Sequence, residues 1–219
     1  MAAIWHPSPN FGARRDGLTP SLIVLHYTGM RGSEDALARL CDPDAEVSAH
    51  YVIAPDGRFW QLVAEDQRAW HAGAGGWAGQ SDINSRSIGI ELVNSGAQPF
   101  PEPQMACLEG LMRGVMARWD IPAHRVIGHS DMAPERKQDP GPRFDWRRLA
   151  RLGLAIWPEG DGAECDLQRS LDQIGYPPAA PDKRLQAFRF RFLPSATGPE
   201  TAQDRRRASY IAAAQMALS

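Results

Sequence analysis

Two imidazoles and one carboxylate, His26, His129 and Asp139, stand where a folded chain tends to present side chains for chemistry. His26 closes the apolar run Leu22-Ile-Val-Leu25. His129 follows Arg125-Val-Ile127 and Gly128, and Asp139 comes ten residues later between prolines. Strand C-termini are the places where α/β sheets carry functional groups. Two histidines and a carboxylate make a sufficient donor set for a catalytic zinc with one position left for water. That requires neutral imidazoles and an ionised carboxylate. The separations alone define no motif. A histidine at a strand end is also a common hydrogen-bonded structural residue, and Asp before Pro a common turn former.

Glu91 interrupts the otherwise apolar stretch Ile88-Gly-Ile-Glu-Leu-Val93. An unpaired buried carboxylate is costly or has a raised pKa, so Glu91 either reaches a solvated face by strand alternation or serves as a general base poised near neutral pH. Lys137 lies two residues before Asp139. In an extended loop the two share a face, which would let the ammonium stabilise an oxyanion; the alternative is a solvated surface lysine.

Elements must bring these positions together. Residues 1 to 20 hold three prolines and two glycines and read as an irregular lead-in. Leu22–Leu25 reads as a buried strand, Ser33 as the N-cap of a helix running to about Cys41, and Ala49–Ile53 and Arg58–Val63 as strands around an Asp56-Gly57 turn. Ala69 to Ser87, rich in Gly, Trp, Ser and Asn, reads as a long loop, and Ser87–Val93 as a central strand. Met105, Leu108, Leu111, Met112, Val115, Met116 and Trp119 recur at helical spacing behind Pro103. Pro134 to Pro142 reads as loop, and Phe144 to Leu154 as an outer helix. Together these predict an α/β fold with a mixed central sheet flanked by helices. After an acidic, Gly-rich break at Glu159-Gly-Asp-Gly162, three helices are expected over Glu164–Ile174, Lys183–Phe192 and Thr201–Leu218. The reading divides the chain into a catalytic domain over 1–157 and a small three-helix domain over 158–219.

The totals narrow the function. A chain of 219 residues with 43% hydrophobic and 23% charged residues can bury a full core. A formal charge of −2 gives no electrostatic case for nucleic acid or an anionic membrane. Cys41, Cys107 and Cys165 are odd in number and scattered, which argues against a disulfide framework or a thiolate metal knuckle. No apolar run is long enough for a transmembrane span, and the first residues lack a secretory pattern. The chain as it stands is therefore expected in the cytoplasm, or in the periplasm if a leader preceded it.

Six motifs occur in order: Leu25-His26-Tyr27-Thr28; Ser48-Ala49-His50-Tyr51-Val52-Ile53 with Asp56-Gly57; Ala69-Trp70-His71-Ala72-Gly73; Asn84-Ser-Arg-Ser87-Ile-Gly-Ile-Glu91; Gly128-His129-Ser130-Asp131; and Lys137-Gln138-Asp139-Pro140-Gly141-Pro142. Over about residues 5 to 157 the chain resembles the zinc-dependent N-acetylmuramoyl-L-alanine amidases of the AmpD and AmiD type, and more distantly the peptidoglycan recognition proteins. The resemblance implies Zn2+ held by His26, His129 and Asp139, Glu91 as base toward the attacking water, and Lys137 steadying the oxyanion. It places Trp70, His71 and Asn84 in motifs that line the substrate groove. Tyr27, His50 and Arg68 are further substrate-binding candidates, His50 more as a framework residue.

The implied partners are peptidoglycan fragments, with the amide between muramic acid and L-alanine as the scissile bond and muropeptide recycling as the setting. One departure stands out. Some AmpD-type relatives carry an arginine two residues before the asparagine matching Asn84, where it can meet a stem-peptide carboxylate; here that position is Asp82, and Arg68 or Arg86 would have to substitute. The stretches Asp166-Leu-Gln168, Leu171-Asp-Gln-Ile-Gly-Tyr176 and Leu185-Gln-Ala-Phe-Arg-Phe190 resemble a three-helix peptidoglycan-binding domain, against which stands a helical unit that only packs on the catalytic domain. Two rival activities remain: a non-catalytic peptidoglycan-binding protein, and a zinc peptidase acting within the stem peptide.

Overall fold

The structure, a computed structural model, describes residues 3–216. Strand β3 (Leu22–Tyr27) pairs in parallel with β7 (Ser87–Leu92) on one side and with β8 (Val126–Gly128) on the other. β7 is joined on its far side by β4 (Tyr51–Ile53), which turns through Asp56-Gly57 into antiparallel β5 (Phe59–Gln61). With β1 (Ile4–Trp5) beyond β5, the six-stranded order is β1-β5-β4-β7-β3-β8, mixed as the sequence predicts and mostly parallel.

Alternation along β3 sorts the interior. Ile23 and Leu25, with Ile88, Ile90 and Leu92 of β7, point to one face. There they meet Met105, Leu108, Met112 and Val115 of α3 (Glu102–Trp119), together with Trp146 and Leu149 of α5 (Trp146–Arg151). Leu22 and Val24 point to the other face, and so does His26. Apolar packing at the strand roots thus leaves the strand ends of that face for chemistry.

Leu22 and Val24 share one cluster with Leu167, Leu171 and Ile174 of α6 (Leu167–Ile174), Phe188 and Phe192 of α7 (Pro181–Phe192), and Ala208 and Ile211 of α8 (Ala202–Met216). An isolated eight-residue helix such as α6 would be marginal in water, so its persistence depends on this packing. Deleting residues from about 160 onward is therefore expected to uncover the face beneath and lower the melting temperature of what remains by more than about 10 °C. A truncated protein that melts like the full chain would contradict a shared core.

Local departures from the sequence reading have local causes. The lead-in contains two short strands. β1 (Ile4–Trp5) adds to β5, and β2 (Phe11–Ala13) pairs with β6 (Gln67–Ala69). Such two- and three-residue pairings exist through their partners and carry no period of their own. Helix α1 (Ser33–Cys41) is capped at Gly32 with no side-chain cap bond, so Ser33 is its first helical residue rather than its N-cap. The segment read as loop over 69–87 contains α2 (Ile83–Arg86), and a one-turn helix α4 (His129–Met132) follows β8 directly. Asp145 and Asp166 cap α5 and α6 through their side chains, so these helices begin later than expected. The expected end of the last helix, at Leu218, lies outside the described residues. Cys41, Cys107 and Cys165 are all unpaired, and no helix among the described residues is long and apolar enough to cross a membrane.

Candidate metal centre

Parallel pairing sets His26 beside Glu91 in register, with Val52 as the next neighbour of Glu91 on β4. The close of β8 delivers His129 as the first residue of α4, and the loop after α4 returns so that the Ser130 amide donates to the Asp139 carbonyl at 2.8 Å. A side chain at Gly128 would run into Pro140 Cδ at 2.7 Å, so glycine lets the Asp139–Pro140 segment approach the strand end.

The result is a tight triangle. His26 Nδ1 lies 2.9 Å from His129 Nδ1, and each is 3.0 Å from Asp139 Oδ2. These form the one group of three His, Cys, Asp or Glu residues found suited to a metal ion among the described residues, with ligand atoms within 4.8 Å. All three residues are buried.

The tautomers can be read from the outer contacts. His129 Nε2 sits 3.0 Å from the Ala72 carbonyl, which can only accept, so Nε2 carries the proton and Nδ1 offers a lone pair. His26 Nε2 lies 3.0 Å from His71 Nδ1, while His71 Nε2 lies 3.1 Å from Ser87 Oγ. The Ser87 hydroxyl donates to the Ile83 carbonyl at 2.6 Å, leaving its oxygen to accept from His71 Nε2–H. Polarity therefore runs one way, from His26 to His71 to Ser87 to Ile83, and leaves His26 Nδ1 also as a lone pair. Two imidazole lone pairs and a carboxylate oxygen then converge on one point, an arrangement that repels itself without a cation and fits one well.

Electrostatics agrees. Burial, then the neighbouring His129, lowers His26 to about 4, so it is neutral near pH 7.

Glu91 faces a cavity of about 230 Å3 lined by Thr28, Met30, Arg39, Trp70, His71 and Lys137, among others. Its Oε2 is shielded from solvent with no hydrogen-bond partner. Burial raises its carboxyl to about 8; the negative charge of Asp139 adds to the rise and Lys137 opposes it. A larger cleft of about 840 Å3 between β5 and α3 shares no lining residue with this cavity.

The raised carboxyl has a measurable sign. In metal-free protein the folded state keeps a proton that the unfolded chain releases in the ordinary carboxyl range. Stability is therefore lost as pH rises toward the folded value. Relative to wild type, Glu91→Gln should gain little melting temperature at about pH 5 and progressively more up to about pH 8. An equal gain at both would mean that burial does not hold the proton there.

Other sequence candidates fall in different places. His71 is chiefly the hydrogen-bond partner of His26, although its edge reaches the cavity. Its ring lies over Gly89, where any Cβ would come within 2.4 Å of it. Asn84 Oδ1 accepts from the His71 and Ala72 amides at 3.0 and 2.8 Å, so one side chain anchors the partners of both histidines. His50 is fully buried, accepting from the Gly89 amide and lying 3.1 Å from the Gln67 carbonyl. Tyr27 alternates to the face away from His26 and packs close to Gly96 and Gly141. Arg68 is engaged by Asp82 at 3.0 Å and by Ser85, and the Arg86 Nε donates to the Ser81 carbonyl. The arginine in the cavity wall is instead Arg39, on α1. No sequence signal marked Arg39, because α1 reads as an ordinary amphipathic helix.

His71→Ala should weaken metal binding about 10- to 100-fold, the scale for losing a partner behind a ligating histidine. Competition against a chelator measures it; unchanged affinity would leave the imidazole relay without a role.

A strand-end donor triangle on a mixed sheet, with a buried carboxyl one strand away, suits a metal-dependent hydrolase of the α/β class. Residues 16–142 match the family model described as N-acetylmuramoyl-L-alanine amidase, and the chain belongs to that family. It is 40% identical over 154 residues to the N-acetylmuramoyl-L-alanine amidase AmiD of Escherichia coli (strain K12), a match spanning 63% of this chain but only 55% of AmiD. It is 37% identical over 163 residues to the 1,6-anhydro-N-acetylmuramyl-L-alanine amidase AmpD of Citrobacter freundii, spanning 67% of this chain and 87% of AmpD. The structure superposes on E. coli AmiD in complex with anhydro-N-acetylmuramic acid-L-Ala-D-gamma-Glu-L-Lys with a TM-score of 0.80, at 32% identity and 88% coverage of both chains. With AmpDh3 of Pseudomonas aeruginosa the TM-score is 0.78, at 27% identity, covering 96% of this chain and 98% of the other.

Proposed function

We propose that the chain hydrolyses the amide between the lactyl group of N-acetylmuramic acid, or its 1,6-anhydro form, and the L-alanine of a stem peptide. The observation that carries this reading is the lone-pair triangle of His26, His129 and Asp139 with Glu91 in register beside it. Those three residues would hold zinc, the ion that favours such a mixed nitrogen and oxygen set with an open position. When bound, zinc supplies Lewis acidity toward water and the scissile carbonyl.

Glu91 then accepts a proton from the attacking water as its oxygen bonds to the carbonyl carbon. Glu91 would be ionised for this once the neighbouring site holds a dication, whose charge opposes the burial that raises its carboxyl. The same carboxyl returns the proton to the alanine nitrogen as the carbon–nitrogen bond breaks, giving a muramic carboxylate and a free peptide amine. Lys137 donates to the carbonyl oxygen while it carries charge. Trp70 lines the cavity beside Glu91, and Arg39 in the same wall would meet a stem-peptide carboxylate.

The substrate class is supported by the relatives. The AmpD name specifies the 1,6-anhydro amidase, and the AmiD and AmpDh3 complexes hold anhydromuramyl peptides. A muropeptide-recycling role follows from that chemistry. Mass spectrometry of an anhydromuramyl tripeptide digest tests the reading. Anhydro-N-acetylmuramic acid and an intact tripeptide should appear. Shortened peptides still attached to sugar would mean a stem-peptide peptidase, and binding without turnover a recognition protein.

A further inference from the structure

The metal ligand His129 sits at the end of an edge strand. β8 pairs with β3 on one side only, so the outward carbonyl of Val126 and the amide of Gly128 need partners from elsewhere. Asp131, buried on α4, accepts from the Gly128 amide through Oδ2 at 2.8 Å. Arg191 of α7 donates through one terminal nitrogen to the same Oδ2 at 2.9 Å and through the other to the Val126 carbonyl at 2.8 Å. Tyr176, in the turn after α6, donates its hydroxyl to Asp131 Oδ1 at 2.8 Å. The Arg191 guanidinium also stacks 4.5 Å from the centre of the Trp146 ring.

We propose that Arg191 and Tyr176 of the C-terminal helical unit are positioning residues for the metal site, acting through Asp131 to set the height and angle of His129. The inference rests on the metal reading given above. A buried carboxylate needs its partners, because removing one leaves an uncompensated charge in a medium that screens it poorly. Asp131 is two residues from His129 within a single helical turn, and the adjacent Ser130 amide holds the Asp139 carbonyl. Any adjustment of Asp131 therefore moves two of the three donors together. Ligand geometry is sensitive to displacements of well under an ångström, so a loosened β8–α4 junction costs affinity before it costs fold. The helical unit thereby contributes to catalysis from outside the cavity.

Zinc affinity, measured by chelator competition on the full-length protein well below its melting temperature, tests this together with kcat and KM on an anhydromuramyl tripeptide. Tyr176→Phe removes one hydroxyl and keeps the ring, and should weaken zinc about fivefold, the scale of one ordinary net hydrogen bond. Arg191→Met should weaken it further, Arg191→Lys should recover part of the loss, and kcat should fall with KM little changed. Arg189→Met is the control. It breaks the buried Arg189–Asp204 pair, internal to the helical unit at 2.6 Å, and touches no atom of Asp131. It should lower melting temperature and leave zinc affinity and kcat at wild-type values. If Arg191→Met does not fold, Tyr176→Phe decides alone. Wild-type zinc affinity in Tyr176→Phe, or losses in Arg189→Met equal to those of the Asp131 partners, would overturn the proposal. Wild type and His129→Ala in the same titration separate this from the metal reading: failure of wild type to bind zinc, or equal binding by His129→Ala, would sink that reading instead.

Discussion

Stripping the metal should abolish turnover, and adding back zinc should restore it. The reason is the donor triangle. Three lone pairs about 3.0 Å apart, the two imidazole ones each oriented by a fixed partner behind the ring, bind a cation or repel one another. His129→Ala should therefore lose more than about a hundredfold in metal affinity, since losing only a partner behind a ligand costs 10- to 100-fold. The same site makes stability metal-dependent: zinc at about a thousand times its dissociation constant should add about 4 kcal/mol to the folded state. Calorimetry with and without zinc, run beside the activity assay, checks both effects. Full activity in rigorously metal-free protein would refute the assignment.

Glu91→Gln should bind zinc and substrate close to normally and lose about a hundredfold or more in kcat, the scale set by a general base. Glutamine keeps the volume and polarity of the side chain but can take no proton. The carboxyl's unpartnered Oε2, buried at the cavity wall, is the structural sign that the group serves something other than packing. Because kcat falls while KM holds, the loss is confined to the transition state. Turnover of Glu91→Gln at the wild-type rate would assign the base to another group.

Much of the frame was legible in the chain. Apolar runs with β-branched residues located β3 and β7, and the 3.6-residue period located α3, because both are driven by burial that leaves a repeating signature. The positions of His26, Glu91, His129 and Asp139 along those elements could also be read. Their convergence came only through the family resemblance; residue types and spacing alone could not give it, since it depends on parallel pairing between strands more than sixty residues apart. The strands β1, β2 and β6 and the one-turn helices α2 and α4 escaped for a related reason: elements this short exist only through partners distant in sequence.

The clearest division lies in residues that sequence and structure use differently. The resemblance placed His71 and Asn84 in groove-lining motifs; the fold adds a role no motif stated, in which they hold His26 and the Ala72 carbonyl behind His129 while His71 also lines the cavity. Arg68 looked available for a substrate carboxylate, yet Asp82, brought close by the path of the intervening segment, takes it. The C-terminal helices were read either as a peptidoglycan-binding unit or as a unit packed on the catalytic domain, and only the tertiary structure shows their apolar side chains clustered with β3 and Arg191 and Tyr176 sent to Asp131. Residue type and local period determine which side chains must be buried and which could bind a metal. Which partner each buried polar group finds is set by long-range packing, because a hydrogen bond is decided by fractions of an ångström that no local pattern encodes.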